Sequence, residues 1–540
     1  MSNGIRPFAF NADTGLEGSE PWLVLGKGPT ASSYSASLAH THQVFALNHA
    51  MRGCRAKVGH AVDIEVFDDF TDDDLAGVEY LCLPWIPHAR LFRPLYPGKV
   101  FFGPGALTLP QHCAQRPLLA RYQAAGRLLS YNLCSAPAAR HNPALLNIEG
   151  RSFSAAIAVR LLAEAGARTI HTLGVDGGSA YAASFADIAA QRRLQTAQTS
   201  FDSQFQEIAD SIRRFGLHCG PLDQQIPAQV FVGCMPEQDL AYRVLEYSIH
   251  RHASISVQVQ RLHTAIAMQC LAVPQPRDLA NRGRTPFSFQ RFAIPALCGH
   301  QGRAIYLDSD MLVLRDLRPV WGFPLGQRQL ASVASPPGSS RAPQFSVMLL
   351  DCARLPWRIE SLVAQLDAGT LSYQALMHDM ATVPHWEAAL PPHWNSLEEY
   401  DPAETSLVHF TDMNGQPWLN PLHPHAALWC RYLLDAVAER AIPETLIAEE
   451  VQRGHIRPSL LVQLARGEPN PLRLPYRVLR DDHVLFMPVH LQQAAALTRW
   501  RFEWQRNRAL LRHGFEAQLR QPLANIFSKI EALGRKWLTL

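Results

Sequence analysis

Residues 304–313 read Ala-Ile-Tyr-Leu-Asp-Ser-Asp-Met-Leu-Val, an apolar run that ends in Asp308 and Asp310 with one small residue between them. On an extended chain, residues i and i+2 share a face, so both carboxylates reach one cation while Ser309 points away. Carboxylate oxygens suit Mg²⁺ or Mn²⁺, and a site with few protein ligands leaves room for substrate phosphates. A cation held there stabilises the charge that grows on a departing diphosphate. An isolated Asp-x-Asp is also a common solvated turn, so its flanks decide the reading. A second feature is Gly26-Lys27-Gly28-Pro29-Thr30, directly after the apolar run Trp22 to Leu25. A buried strand that opens into such a loop presents backbone N–H groups where no Cβ blocks an anion. It falls short of a full dinucleotide fingerprint, and many glycine-rich strand exits are only tight turns.

The elements that must position these groups alternate strand and helix. Val44 to Leu47 is an apolar run leading to Asn48. Ser154 to Ala165 has helical spacing, followed by Thr169 to Leu173 and a glycine loop, Gly174-Val175-Asp176-Gly177-Gly178. This is α/β grammar. A helical stretch from Phe201 to Phe215 and the turn at Gly220 to Asp223 predict a boundary near residue 225. Beyond it come a strand at Val230 to Val232, a helix at Leu240 to His250 and strands at Ala304 to Leu307 and Phe345 to Leu350. After about residue 440 helical patterns dominate. The expected fold is α/β with two Rossmann-like units, residues 1–225 and 226–440, and a helical C-terminal region, 441–540.

Residues 228–440 resemble the retaining glycosyltransferases of family 8, the glycogenin and lipopolysaccharide galactosyltransferase group. Val230-Phe231-Val232 with Tyr242 to Ser248 resembles the family's first nucleotide-binding strand and helix. Phe289-Gln290-Arg291-Phe292 resembles its aromatic-x-Arg segment, and Tyr306-Leu307-Asp308-Ser309-Asp310 its metal motif. Trp394-Asn395 and His409-Phe410, ending in Pro417-Trp418, resemble its C-terminal metal and phosphate motif. The resemblance implies a GT-A fold and a metal-dependent, retaining transfer of a hexose-type sugar from a UDP-sugar to a glycan, lipid-linked glycan or protein. It makes Asp308, Asp310 and His409 the ligands of Mn²⁺ or Mg²⁺, an imidazole favouring Mn²⁺. Val232, Arg291, Asp308, Gln416 and Trp418 would face the donor nucleotide. Gln374, Asp379 and Asn395 are the candidates for contacts to the transferred sugar, with front-face attack and the departing phosphate as base. Two departures stand out. Gln416 occupies the place of the family's phosphate-binding lysine, with a longer loop at Asp412 to Gly415, and the acceptor side has only Phe345-Ser346-Val347-Met348 and Tyr373-Gln374 to match.

Residues 20–215 resemble the sialyltransferase-like Rossmann domain of motility-associated flagellin-glycosylation factors, through Gly-x-Gly-Pro-Thr, Asn48, Asp63 and Gly174-Val175-Asp176-Gly177. That resemblance implies Gly26, Gly28, Thr30 and Asn48 as contacts to CMP or a CMP-sugar, with Asp176 structural. Two alternatives to a working central domain stay open. The N-terminal unit would use a CMP-sugar beside an inactive central domain, or the chain would be a non-enzymatic sugar-nucleotide-binding scaffold.

The whole-chain numbers set outer limits. With 540 residues, 47% hydrophobic and 18% charged, the chain should form two or three folded units. A net charge of +3 gives no basis for nucleic-acid binding. Neither a secretory pattern near Met1 nor a membrane-length apolar run is present, and the ten cysteines are scattered without a CxxC pair. A cytoplasmic protein with reduced thiols is expected. Trp500, Trp504, Leu511 and Phe515 share a helical face beside Arg501, Arg506, Arg508 and Arg512, and a second such stretch follows Pro522. These basic helices can pack on the protein or a second copy of the chain, which is the commoner use of an amphipathic face, or lie peripherally on the inner face of a membrane.

Overall fold

The computed structural model describes residues 4–91, 99–101, 105–150, 153–189, 200–283, 285, 287–334, 344–492 and 494–508. They divide into two compact units: residues 1–229 with 250–258 and 316–324, and residues 230–249, 259–315 and 325–540.

The first unit is built on a large sheet. Its strands are β1 (Ile5–Pro7), β2 (Trp22–Leu25), β3 (Gln43–Leu47), β4 (Ala56–His60), β5 (Val78–Pro84), β8 (Leu128–Leu133), β9 (Asn147–Ile148), β10 (Thr169–Leu173) and β11 (His218–Pro221). Between β5 and β8, β6 (Ala89–Leu91) and β7 (Lys99–Phe101) form a separate antiparallel pair. The order is β1-β8-β5-β4-β3-β2-β10-β11, with β9 on β8, and the pairings from β1 through β11 are parallel. Strands covered on both faces need apolar side chains throughout, and β2, β3 and β8 are buried at every position. The helix Ser154–Ala165 covers one face. It ends where Gly166 takes φ 117°, a left-handed cap that a side chain would resist. The apolar runs at Trp22, Val44 and Thr169 and the helix at Ser154 are as the sequence predicts. Strands β4 and β8 escape the periodicity reading because their sequences include small and polar residues, such as Gly59, Ser130 and Asn132, that only the folded sheet buries.

The second unit carries a mixed sheet of β12 (Ala228–Gly233), β13 (Val257–Arg261), β14 (Arg303–Asp308), β16 (Leu330–Val333), β17 (Gln344–Asp351) and β18 (Trp386–Leu390), in the order β13-β12-β14-β17-β16-β18. β14 runs parallel to β12 and antiparallel to β17. A smaller sheet joins β15 (Met311–Val313), β19 (Ser396–Leu397) and β20 (Leu407–His409) in the order β15-β20-β19. The C-terminal helices share this unit's core: Ile442, Ile447, Ile456, Leu460 and Phe486 pack in one cluster with Leu240, Val244, Trp418 and Trp429. Among the described residues no helix is long and apolar enough to cross a membrane. The second basic stretch expected after Pro522, and Leu511, Arg512 and Phe515, lie outside the described residues. All ten cysteines are free thiols.

Candidate functional site

Asp308 is the last residue of β14, and Asp310 precedes β15 directly. The chain therefore bends between the two carboxylates. Ser309 is pinned at that bend, its N–H donating to the Gly233 carbonyl at 3.0 Å and its buried hydroxyl to Gln238 Oε1 at 2.9 Å. The pairing of β15 with β20 sets Met311 opposite His409, and the Phe410 N–H donates to the Asp310 carbonyl at 2.8 Å. That register carries His409 from a hundred residues away to the aspartates. One ligand atom from each of Asp308, Asp310 and His409 lies within 4.8 Å of the other two. Ligands on opposite sides of a cation at about 2.1 Å stand about 4.2 Å apart, so small side-chain rotations close the set.

Each of the three has one atom held by a neutral partner, and the second atoms of Asp310 and His409 face each other. The Tyr306 hydroxyl donates to Asp308 Oδ1 at 2.6 Å. Gln416 Nε2 donates to Asp310 Oδ2 at 3.0 Å and to the Phe410 carbonyl at 3.1 Å. His409 Nδ1 donates to Asn395 Oδ1 at 2.9 Å, which commits that nitrogen as the protonated one. Its Nε2 is left 3.2 Å from Asp310 Oδ1. A neutral imidazole would set one lone pair against another there, so the pair demands a positive charge, a proton or a cation, between them. The electrostatics agree. Burial lowers the His409 pKa, but Asp310 and then Asp308 outweigh it and leave the group above its ordinary value. Burial raises the Asp308 carboxyl, with Arg291 opposing and Asp310 reinforcing the rise. The residues present thus fit a divalent cation.

Arg291 completes the positive side. It is buried, stacks 4.7 Å over the Tyr306 ring, donates to the Phe345 carbonyl at 3.1 Å and sits 4.0 Å from Asp308 Oδ1. A guanidinium beside a carboxylate pair offers fixed charge to an anionic ligand.

Several expected contacts fall elsewhere. Trp418 is buried in the core, edge-on to Phe410 and tilted against Trp429, so its ring has no face for a nucleotide. Val232 is fully buried within β12, paired with Leu307, and can meet a ligand only through the backbone where the strand ends. Gln416 is committed to Asp310, not turned to a phosphate, and Asn395 is committed to His409. Gln374, in the Tyr373–Met377 helix, and Asp379, just beyond it, are exposed, bond to each other at 3.3 Å and bond to none of the three clustered residues among the described contacts. The holding partners Tyr306 and Asn395 had no signal in the sequence as positioning groups. Tyr306 lies two residues before Asp308, yet only the folded strand shows its hydroxyl turned to that carboxylate.

The first unit's glycine loop is knitted to its own chain. Thr30 donates through N–H to Asp176 Oδ2 at 2.7 Å and through Oγ1 to Asp176 Oδ1 at 2.5 Å, while Thr30 Oγ1 accepts from the Gly174 N–H at 2.7 Å. Gly26 and Gly28 are small because the second loop lies against them. A Cβ at Gly26 would strike the Gly174 carbonyl, and one at Gly28 would meet Asp176 Oδ2 at 2.5 Å. Gly26, Gly28 and Thr30 therefore serve loop packing, and the carboxylate of Asp176 takes the place expected for an anionic ligand. Asn48, at φ 50°, donates to Ser154 Oγ at 3.2 Å, and its buried Oδ1 has no partner among the described residues.

No family model matches the chain. A curated protein of Arabidopsis thaliana described as Protein CDI is 37% identical over 94 residues, 17% of this chain and 35% of that protein. The chain thus spans about a third of the length of the curated relative it matches. Among solved structures, the apo form of the glycosyltransferase GlyE of Streptococcus pneumoniae TIGR4 is 16% identical, covering 40% of this chain and 64% of that one at a TM-score of 0.29. The galactosyltransferase LgtC, solved with donor and acceptor sugar analogues, is 12% identical, covering 35% and 89% at a TM-score of 0.24. At such scores these likenesses carry no weight for what this chain does.

Proposed function

We propose that the second unit is a metal-dependent glycosyltransferase of the GT-A type that takes a hexose from a UDP-sugar with retention. The acceptor would be a glycan, a lipid-linked glycan or a protein. The observation that carries this reading is the convergence of Asp308, Asp310 and His409, each with one atom held by a neutral partner, with His409 Nε2 and Asp310 Oδ1 facing each other at 3.2 Å. The motif resemblance of residues 228–440 supports it, with functional modules at 1–225, 226–440 and 441–540. Mn²⁺ suits an imidazole beside two carboxylates better than Mg²⁺ does. When bound, the cation would supply Lewis-acid stabilisation of the departing diphosphate.

The chain's own residues do the rest. Tyr306, Gln416 and Asn395 orient the three ligands, and Arg291 adds a positive charge beside them. With Gln416 turned to Asp310, no lysine meets the diphosphate from that position, so donor affinity depends on the cation and Arg291. Gln374 and Asp379 remain the proposed contacts for the transferred sugar. The reading that places chemistry in the first unit, with CMP or a CMP-sugar at Gly26, Gly28, Thr30 and Asn48, is disfavoured by the Asp176 carboxylate bonded to Thr30.

Isothermal titration of the full chain with UDP and with CMP, each with Mn²⁺ and with EDTA, tests the proposal. UDP binding should require Mn²⁺ and vanish in Asp310→Asn at unchanged Tm. Metal-independent CMP binding alone would move the donor site to the first unit, and binding of neither nucleotide would leave the scaffold reading.

A further inference from the structure

The chain is helical through residues 496–508, and its two faces are unlike. One face is docked. Phe502 is buried, and Arg506, four residues on, donates to the Phe486 carbonyl at 2.9 Å and the Asp482 carbonyl at 2.6 Å. Residues three and four apart share a helical face, so Leu497, Trp500 and Trp504 lie together on the side turned away from that anchor. They are 59%, 58% and 50% exposed. Arg501, four after Leu497, and Arg508, four after Trp504, flank the same outward face, with the Arg508 guanidinium 5.3 Å over the Trp504 ring. The sequence pattern allowed these tryptophans to pack inward; the fold instead turns them out.

From this arrangement we propose that the outward face of residues 496–508 is a docking surface for an anionic lipid bilayer. Indole rings settle at headgroup level, where an apolar body and a polar N–H are both satisfied. Arg501 and Arg508 flank this face with no acid on it between them, and cations near a membrane surface contribute about 1 kcal/mol each toward anionic headgroups. Charge separates this occupant from a second copy of the chain. A two-fold contact through this face would bring Arg501 and Arg508 toward their own copies, like charge against like. A bilayer rich in phosphate anions meets the same arginines with opposite charge. The helix lies along the surface and does not span it, in keeping with the absence of a membrane-crossing helix among the described residues.

The test is co-sedimentation of the full chain with large vesicles of phosphatidylcholine alone and of phosphatidylcholine with 30 mol% phosphatidylglycerol. It needs neither donor nor metal, so its outcome is separate from the reading of the Asp–Asp–His site. Wild type should pellet with the anionic vesicles, at least tenfold less with neutral ones, with a blue shift of tryptophan emission. Trp500→Ala/Trp504→Ala should weaken anionic binding about tenfold or more, and Trp500→Phe/Trp504→Phe should retain part of it. Both rings are exposed, so Tm should stay constant across the set. Equal binding by wild type and the alanine pair, or no binding to either vesicle, would overturn the proposal. A dimer in light scattering that the alanine pair dissolves would overturn it in favour of a second copy.

Discussion

Replacing Gln416 with leucine isolates one hydrogen bond of the cluster. Gln416 is buried and donates from one nitrogen to Asp310 Oδ2 and to the Phe410 carbonyl, and leucine keeps most of its volume while removing the donor. A hydrogen bond to a charged acceptor is worth roughly 1.5–3 kcal/mol. At about 1.4 kcal/mol per decade, that is roughly a tenfold to hundredfold change in an equilibrium constant. Loss of an outer partner of a metal ligand costs about 10–100-fold in metal affinity, so two independent routes agree. Mn²⁺ affinity, read by isothermal titration or from the free-ion electron paramagnetic resonance signal, should therefore fall about 30-fold in Gln416→Leu. Both bonds are present without metal, so the metal-free protein should also be destabilised, by about 1 kcal/mol or more, which denaturant unfolding measures separately. A folded Gln416→Leu protein with Mn²⁺ affinity within twofold of wild type would refute the reasoning, since Asp310 would then need no orienting partner.

Two further outcomes follow from the first unit. Asp176→Ala removes both acceptors of Thr30 and should lower unfolding stability by about 3 kcal/mol in a urea titration, two charge-assisted hydrogen bonds at about 1.5 kcal/mol each. Mn²⁺-dependent UDP binding should be untouched; an unchanged midpoint would show that the loop does not depend on this carboxylate. Burial depresses the His60 pKa from 6.5 to about 3, so the unfolded chain takes up its proton first as pH falls. Stability from this group is complete above pH 6.5 and is lost down to about pH 3. The loss approaches about 1.4 kcal/mol per pH unit. His60→Gln should flatten the stability–pH curve by that slope between pH 6 and 4, whatever its effect on the absolute level, and an unchanged slope would refute the assignment.

The sequence by itself was enough for the α/β character, because the buried strands Trp22–Leu25 and Ala304–Leu307 announce themselves as apolar runs closed by glycine or acid. It was also enough to single out Asp308 and Asp310, two carboxylates at a strand's end. His409 came only from the motif resemblance; its meeting with the aspartates is a matter of register, in which β15 pairs with β20 and sets Met311 opposite His409. Hydrogen-bond commitments belong to the tertiary structure for the same reason. Gln416 and Asn395 have side chains that can serve a ligand or a neighbour, and only packing shows each already given to Asp310 or His409. Gly26, Gly28 and Thr30 suggested an anion site because backbone N–H groups after a strand are generic. The residue that answers them, Asp176, is 146 positions from Thr30 and comes close only when β10 lies beside β2. Trp418 and Trp500 show the same limit from opposite sides. An aromatic's spacing tells which helix or strand carries it, and only the fold decides whether it faces the core or the solvent, because burial is a property of what packs against a residue.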